Sequence, residues 1–336
     1  MRNQGRWPVG YIGRAVRISE QELIARIRRL ARAGRGKSVV TGIGDDSAVL
    51  RLARGRELLV TTDFTLEDAH FRRAWHPALS VGHRALTRGL SDIAAMGGQP
   101  LAAFLSLALP ADLPQAWAEG FLRGFLRLAR EFATPLAGGD VAQSPRGVAA
   151  DIVVVGSVEA GRALLRSGAR PGDSLYVTGQ LGRAAALLFD LREGRKVSPR
   201  APENRPHFFP VPRLAVGRAL ASRRLATAAI DVSDGLSTDL AHICAESRVG
   251  ALVIESAIPR PVRREGGSLH FALHGGDDYE LLFTARPRAA VPTSIAGVRI
   301  TRIGEIIRDP RCRIFLVDSH GQRKHLIPAG WQHFGR

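Results

Sequence analysis

The chain is poor in cysteine, with only Cys244 and Cys312 among 336 residues, in unrelated contexts. That excludes a disulfide scaffold and a CxxC metal site, and it fits a reducing compartment. Long apolar runs are also missing: none reaches the roughly 18 residues that a membrane helix needs. The opening stretch, MRNQGRWPVGYIGRAVRIS, is basic but lacks the continuous apolar core of a secretory signal, so a cytoplasmic protein is expected. Acids are scarce, with 31 Asp+Glu against 48 Lys+Arg and a formal net charge of +17. What is present marks a folded protein: 45% hydrophobic residues with mixed charges, at a length that suits two domains each burying its own core.

The positive charge permits binding to nucleic acid or a membrane surface. The arginines, however, are spread along helix-like stretches such as ELIARIRRLARAGR and GFLRGFLRLARE, with no arginine-rich tail and no basic motif interleaved with aromatics. A solvated basic surface, or attraction of anionic small molecules, is favoured over nucleic-acid binding, and no membrane partner is expected.

Along the chain, ISEQELIARIRRLAR has apolar residues at helical spacing after Ser19, a suitable N-cap. SVVTGIGDDSAVLRL and ELLVTTDFTLEDAHF read as strands ending in polar turns. VGHRALTRGLSDIAAMGG reads as a helix closed by glycines, LAAFLSLALP as a strand and LPQAWAEGFLRGFLRLAREF as a long amphipathic helix. TPLAGGDVAQSP reads as a strand leaving into a loop, and ADIVVVGSVEAG as an apolar strand that closes a first domain at residue 157. The second half, 158–336, repeats the α/β pattern, interrupted by a Pro- and charge-rich surface excursion, LREGRKVSPRAPENRPHFFPVPR. The segment ARAGRGKS satisfies the loose phosphate-loop pattern, but a helix precedes it and a strand follows, the reverse of what that loop requires.

The scarce acids gather beside glycines. GIGDDS holds Asp45 and Asp46, TTDF holds Asp63, LSDIAAMGG holds Asp92 and GGDVAQS holds Asp140. DVSDGLS holds Asp231 and Asp234, and GGDDYE holds Asp277, Asp278 and Glu280. A single Asp beside Gly is ordinarily a turn or cap residue. Six such segments at expected strand ends or helix starts could instead converge, because ligands of α/β folds lie beyond the carboxyl ends of strands. The segments contain no His or Cys, and oxygen-only ligands suit Mg²⁺ bridging carboxylates to phosphates. Ser233 and Asp234 precede a helix start that favours an anion, so a metal–nucleotide site is expected there.

Taken in order, GIGDDSAV, TTDFTLEDAHF, LSDIAAMGGQP, GGDVAQS, GRALLRSGARPGD, DVSDGLSTDL, GGDDYELLFT and the terminal GWQHF resemble the thiamine-monophosphate kinase family across nearly the whole chain. That family shares a superfamily with aminoimidazole ribonucleotide synthetase, selenophosphate synthetase and a hydrogenase-maturation enzyme. The resemblance implies an α/β (α+β) fold in two domains, aminoimidazole ribonucleotide synthetase-like. Residues 1–157 would form an N-terminal mixed sheet with flanking helices that binds ATP and Mg²⁺ and dimerises. Residues 158–336 would form a C-terminal α/β domain completing the nucleotide and substrate site. It implies ATP-dependent phosphorylation of thiamine monophosphate to thiamine diphosphate by direct in-line transfer, in a homodimer.

Carried over by position, the resemblance implies Mg²⁺ ligation by Asp46, Thr61, Thr62, Asp63, Asp92, Asp140, Asp231 and Asp234. ATP would meet Gly139, Asp140, Arg166 and Ser233, while His70, Asp277 and Trp331 would face thiamine monophosphate. Asp63, Asp140 and Arg166 would carry the chemistry. GGDVAQS departs from the family in having Val-Ala where many members have Thr-Thr. Two alternatives stay open at this point: another ATP-using enzyme of the superfamily with a different acceptor, and a basic nucleic-acid-binding protein on this scaffold.

Overall fold

The structure is a computed structural model that describes residues 26–27, 29–31, 39–41, 49–261 and 268–331. The Ser19 cap, Lys37 and Ser38, the Asp45–Asp46 pair and the last five residues lie outside the described residues.

After a short antiparallel pair, β1 (Val39–Thr41) and β2 (Val49–Leu50), the first half builds one four-stranded sheet. It consists of β3 (Arg56–Leu66), β4 (Gln99–Pro110), β5 (Leu136–Ser144) and β6 (Ala149–Glu159), in the order β3-β6-β4-β5. Only β4 and β5 run parallel. Helices α1 (Ala78–Ala95) and α2 (Gln115–Glu131) cover one face. Both have the apolar stripe expected of amphipathic helices on a sheet. Leu86, Leu90, Phe121 and Phe125 are buried completely against Ile152 and Val154.

The second half builds an eight-stranded sheet. Its main path, β14-β13-β9-β12-β7-β10-β8, contains β7 (Ser174–Thr178), β8 (Ala228–Val232), β9 (Gly250–Ile254), β10 (Glu280–Ala285), β12 (Val298–Ile307), β13 (Ile314–Val317) and β14 (Arg323–His325), while β11 (Ser294–Ile295) pairs with β12 at its side. Helices α3 (Arg183–Arg192), α4 (Arg205–Phe208), α5 (Leu214–Ser222), α6 (Leu236–Ser247) and α7 (Ser268–His274) surround it.

Strand β10 faces two cores. Leu282 packs with Val177, Ile230 and Leu240 inside the second half, whereas Leu281 and Phe283 join the core built on α1 and α2. Alternate side chains of a strand point to opposite faces, so this one strand fastens the halves together.

Two expectations about local structure change. GGDVAQS does not leave the sheet: β5 continues through it to Ser144, its backbone paired in parallel with β4. Asp92 is at neither a strand end nor a helix start but in the last turn of α1.

Candidate functional site

Helix α1 carries Arg84, Arg88, Ser91 and Asp92, spaced i, i+4, i+7 and i+8, which places them on one face. That face looks into the seam between the halves. Arg84 is buried, and its guanidinium donates to the carbonyl of His207 at 2.6 Å and to Oδ2 of Asp277 at 2.8 Å. One turn on, Arg88 donates to the Phe64 carbonyl at 3.2 Å and stands 3.8 Å from Oδ1 of Asp277. Beyond it, Ser91 donates to Oδ2 of Asp231 at 2.6 Å, and Asp92 accepts a short hydrogen bond from the Thr61 hydroxyl.

Strand alternation turns Thr61 and Asp63 toward α1. Asp63, Asp92 and Asp231 therefore meet in the seam with little positive charge between them. Burial first, and then the charge of Asp92, push the Asp63 carboxyl up to about 7, although Arg88 draws it down. Burial raises Asp92 as well, and burial with the neighbouring charges of Asp92, Asp239 and Asp63 raises Asp231 well above the carboxylate range. Buried carboxylates that repel one another are relieved by proton uptake or by a cation. The donors here are hard oxygens, which fit a divalent ion such as Mg²⁺. Among the described residues, no three His, Cys, Asp or Glu side chains are placed to hold a metal ion by themselves. A divalent ion here would therefore need oxygen ligands from a bound nucleotide's phosphates beside the carboxylates.

The other expected metal ligands are distributed differently. Thr62 points to the opposite face of the sheet, where its hydroxyl donates to Oδ1 of Asp151 at 2.8 Å. Asp140, exposed on β5, lies in the same cross-strand row as Ser106 and Asp151, and its Oδ1 accepts the Val141 N–H at 2.9 Å. Gly139 beside it has φ +149°, and a Cβ there would stand 1.9 Å from the Leu105 carbonyl oxygen, so the position requires glycine. Arg166 is exposed, yet its charge reaches Asp92 and lowers it. The seam thus gathers Thr61, Asp63, Asp92 and Asp231; Thr62 and Asp140 share the far sheet face; Asp234 borders the cavity described next; and Asp46 lies outside the described residues.

That cavity, about 400 Å³, opens between the halves beside the seam. His70, Arg88, Ser233, Asp234, Asp277 and Trp331 all line it. His70 accepts the Leu66 N–H at Nδ1, 2.9 Å away, which leaves the ring proton on Nε2. Asp277 has φ +67° and Tyr279 φ +52°, a backbone region unfavourable for side-chain-bearing residues. Both are held by the preceding motif: Asp277 N–H donates to the Ser233 carbonyl at 2.8 Å and Tyr279 N–H to that of Val232 at 2.9 Å. The Tyr279 hydroxyl donates to Oδ1 of Asp277 at 2.7 Å. Arg84 and Arg88, with Tyr279, overcome the burial of the Asp277 carboxyl and hold it far below the usual range. Trp331 is 45% exposed, and its backbone N–H donates to the Asp234 carbonyl at 3.1 Å, which lays the C-terminal GW pair against the DVSDG turn.

Several of these residues escape sequence reasoning. Asp239, in the first turn of α6, accepts the N–H groups of Asp234 and Gly235 at 3.2 and 3.0 Å and shapes that turn. Burial, and then the charge of Asp234, push it up to about 7. Asp151 opens an apolar strand and reads as its polar end. For Arg84, Arg88 and Ser91, the available signal is their helical spacing with Asp92.

Comparison with known proteins gives the class first. Residues 44–158 match the AIR synthase related protein N-terminal domain and residues 170–317 the corresponding C-terminal domain. The chain is 39% identical to the thiamine-monophosphate kinase of Salmonella typhimurium over 94% of its own length and 98% of that protein. It therefore belongs to the thiamine-monophosphate kinase family. A crystal structure of thiamine-monophosphate kinase from Stenotrophomonas maltophilia superposes with a TM-score of 0.78 at 35% identity, covering 90% of this chain and 96% of that one. AaThiL complexed with AMPPCP and TMP superposes with a TM-score of 0.74 at 30% identity, over 97% of this chain and 100% of that one.

Proposed function

We propose that this chain transfers the terminal phosphoryl group of ATP to thiamine monophosphate, forming thiamine diphosphate. The observation that carries the reading is the junction of two environments on α1: a cavity of about 400 Å³ beside a set of buried, mutually repelling carboxylates. The complex of a 30% identical chain with AMPPCP, an ATP analogue, and TMP supports it.

The nucleophile is a phosphate oxygen already ionised at neutral pH, so no general base is needed, and transfer is direct and in line. The chain's task is to hold two polyanions in register and to offset the charge between them. Asp46, Thr61, Thr62, Asp63, Asp92, Asp140, Asp231 and Asp234 would hold several Mg²⁺ ions, the seam residues on one face of the first sheet and Thr62 with Asp140 on the other, and the ions would supply the positive charge that the phosphates and carboxylates lack. Gly139, Asp140, Arg166 and Ser233 hold ATP, with Asp63, Asp140 and Arg166 nearest the transferred group. His70, Asp277 and Trp331 receive the thiamine moiety. Residues 1–157 serve ATP and dimerisation, and 158–336 complete the substrate site.

A homodimer through the uncovered face of the first sheet is part of the proposal. Leu58, Val60 and Phe64 of β3 are 52%, 62% and 60% exposed there, an apolar row that a second copy would cover. Among the described residues no helix is long and apolar enough to cross a membrane, which is consistent with a cytoplasmic enzyme.

The test is ADP release coupled to product analysis, with thiamine monophosphate, thiamine and aminoimidazole ribonucleotide precursors as acceptors. Turnover confined to thiamine monophosphate and dependent on Mg²⁺ is expected. Preferential turnover of another acceptor refutes the assignment.

A further inference from the structure

The cavity contains a cation that the assignment above does not use. Arg84 and Arg88 are one helical turn apart and both face Asp277, yet they are held differently. Arg84 is 6% exposed and engaged at 2.6 and 2.8 Å. Arg88 is 18% exposed and lines the cavity, and its contacts are all long: 3.4 Å from Nε to the Tyr279 hydroxyl, 3.2 Å from Nη1 to the Phe64 carbonyl and 3.8 Å from Nη2 to Asp277. A guanidinium has five N–H donors. The two hydrogen bonds made by Arg88 among the described residues use two of them, and neither is short. The other arginines on the wall, Arg72 and Arg192, are exposed at the rim, and Arg72 is stacked over Trp75 at 4.5 Å.

Position adds to availability. The charge of Arg88 acts on Asp277 at the cavity wall, on Asp234 and on Asp63 in the seam. Its Nη2 stands 3.8 Å from Asp277 on the cavity wall and its Nη1 bonds the carbonyl of Phe64, the neighbour of Asp63 on β3, so it lies between that end of the cavity and the carboxylates of the seam. An acceptor that carries its own phosphate must pass that dianion through this interval, where Arg84 is already committed to Asp277 and the His207 carbonyl, and the other charged groups acting on Arg88 are acidic. A planar fork of donors matches a phosphate at that point, as a rim arginine would not.

We infer that Arg88 binds the phosphate already carried by the acceptor, and so makes this site prefer a phosphorylated acceptor over its free alcohol. This rests on the functional reading above. It assigns to one residue a discrimination that the metal ions and the ring contacts would otherwise have to supply.

Calorimetric titration of the full chain, with Mg²⁺ present, tests it using thiamine monophosphate and thiamine as probes. The wild type is expected to bind the monophosphate more tightly. Arg88→Gln is expected to weaken the monophosphate by about 10- to 100-fold, as for loss of a charge-assisted contact, while thiamine stays within about twofold. Arg88→Lys, which keeps the charge and loses the fork, falls between them.

An equal loss for both ligands overturns the inference, because it is what a merely structural arginine gives; so does an unchanged monophosphate affinity. If Arg88→Gln melts early, Arg88→Lys decides: a selective loss of monophosphate binding supports the role and no selective loss rejects it. A wild type that binds both probes alike, or neither, overturns the kinase reading itself, and the inference with it.

Discussion

Asp63 and Asp277 are the same residue type in two neighbouring regions, and the protein treats them in opposite ways. In the seam, Asp63 meets Asp92, and burial with that neighbouring charge pushes its carboxyl up to about 7. On the cavity wall, Asp277 meets Arg84, Arg88 and Tyr279 and is held far below its ordinary value. Burial works against the charge in both places, so the difference lies in the partners alone. A carboxylate whose one cation, Arg88, does not offset its burial and its acidic neighbours is set up to receive a cation from outside. One already paired is set up to hold other groups in place.

The contrast can be broken from either side. The largest effect is expected at Arg84, whose removal leaves a buried carboxylate short of its nearest cation. Arg84→Met should cost up to about 3–5 kcal/mol of stability, the upper end applying if Arg88 cannot move closer. Adding Asp277→Asn should return much of that loss, and denaturant unfolding of the two variants measures both. Asp63→Asn should act in the opposite sense on the fold. Turnover should fall by about 10²–10³, the scale of losing one charge-stabilising group, while the metal-free protein melts no lower than wild type. Near-normal turnover by that variant would remove Asp63 from the metal site.

Acidity sharpens the same contrast. Asp63 binds its proton more tightly in the folded state, about 7 against an ordinary 3.8. The metal-free fold should therefore lose stability as pH rises from about 4 to about 7, and Asp92 and Asp231 shift in the same direction. Saturating Mg²⁺ should flatten that slope, and melting curves across the window with and without the ion would show it. A flat metal-free profile would mean that the repulsion is relieved in some other way. The smallest effect belongs to Trp331, which is half-exposed at the cavity edge. Trp331→Ala should raise the KM for thiamine monophosphate by about 3- to 30-fold, the range of a cation–π contact. The KM for ATP should stay within about twofold, with little change in melting temperature. Equal effects on both substrates would make Trp331 a support of the fold.

Periodicity makes the scaffold legible before any coordinates. The amphipathic spacing of α2 and the apolar run of β6 follow from which residues must reach a core. The glycine-rich GGDVAQS misleads because Gly and Asp are poor strand formers in isolation, and only the parallel partner β4 explains why they stay in the sheet. The acids of the site stand out because acids are rare in this chain. Its cations do not, because arginine is everywhere. Arg84 counts as one more basic residue until the fold brings Asp277, 193 residues later, to within 2.8 Å. Electrostatic pairing over that separation has no local signature.

Because Arg84 and Asp92 are fixed to one continuous helix, the distance between the two regions is set by backbone geometry. Eight residues at 1.5 Å each make about 12 Å along the axis. Helix α1 therefore works as a ruler, with the acceptor's anchor at one mark and the carboxylates of the seam at the other. Side-chain substitutions in the cavity can change which ring is held, but they leave this length alone. A molecule whose arm between ring and phosphate is a few ångströms too short or too long would bind at one mark and miss the other.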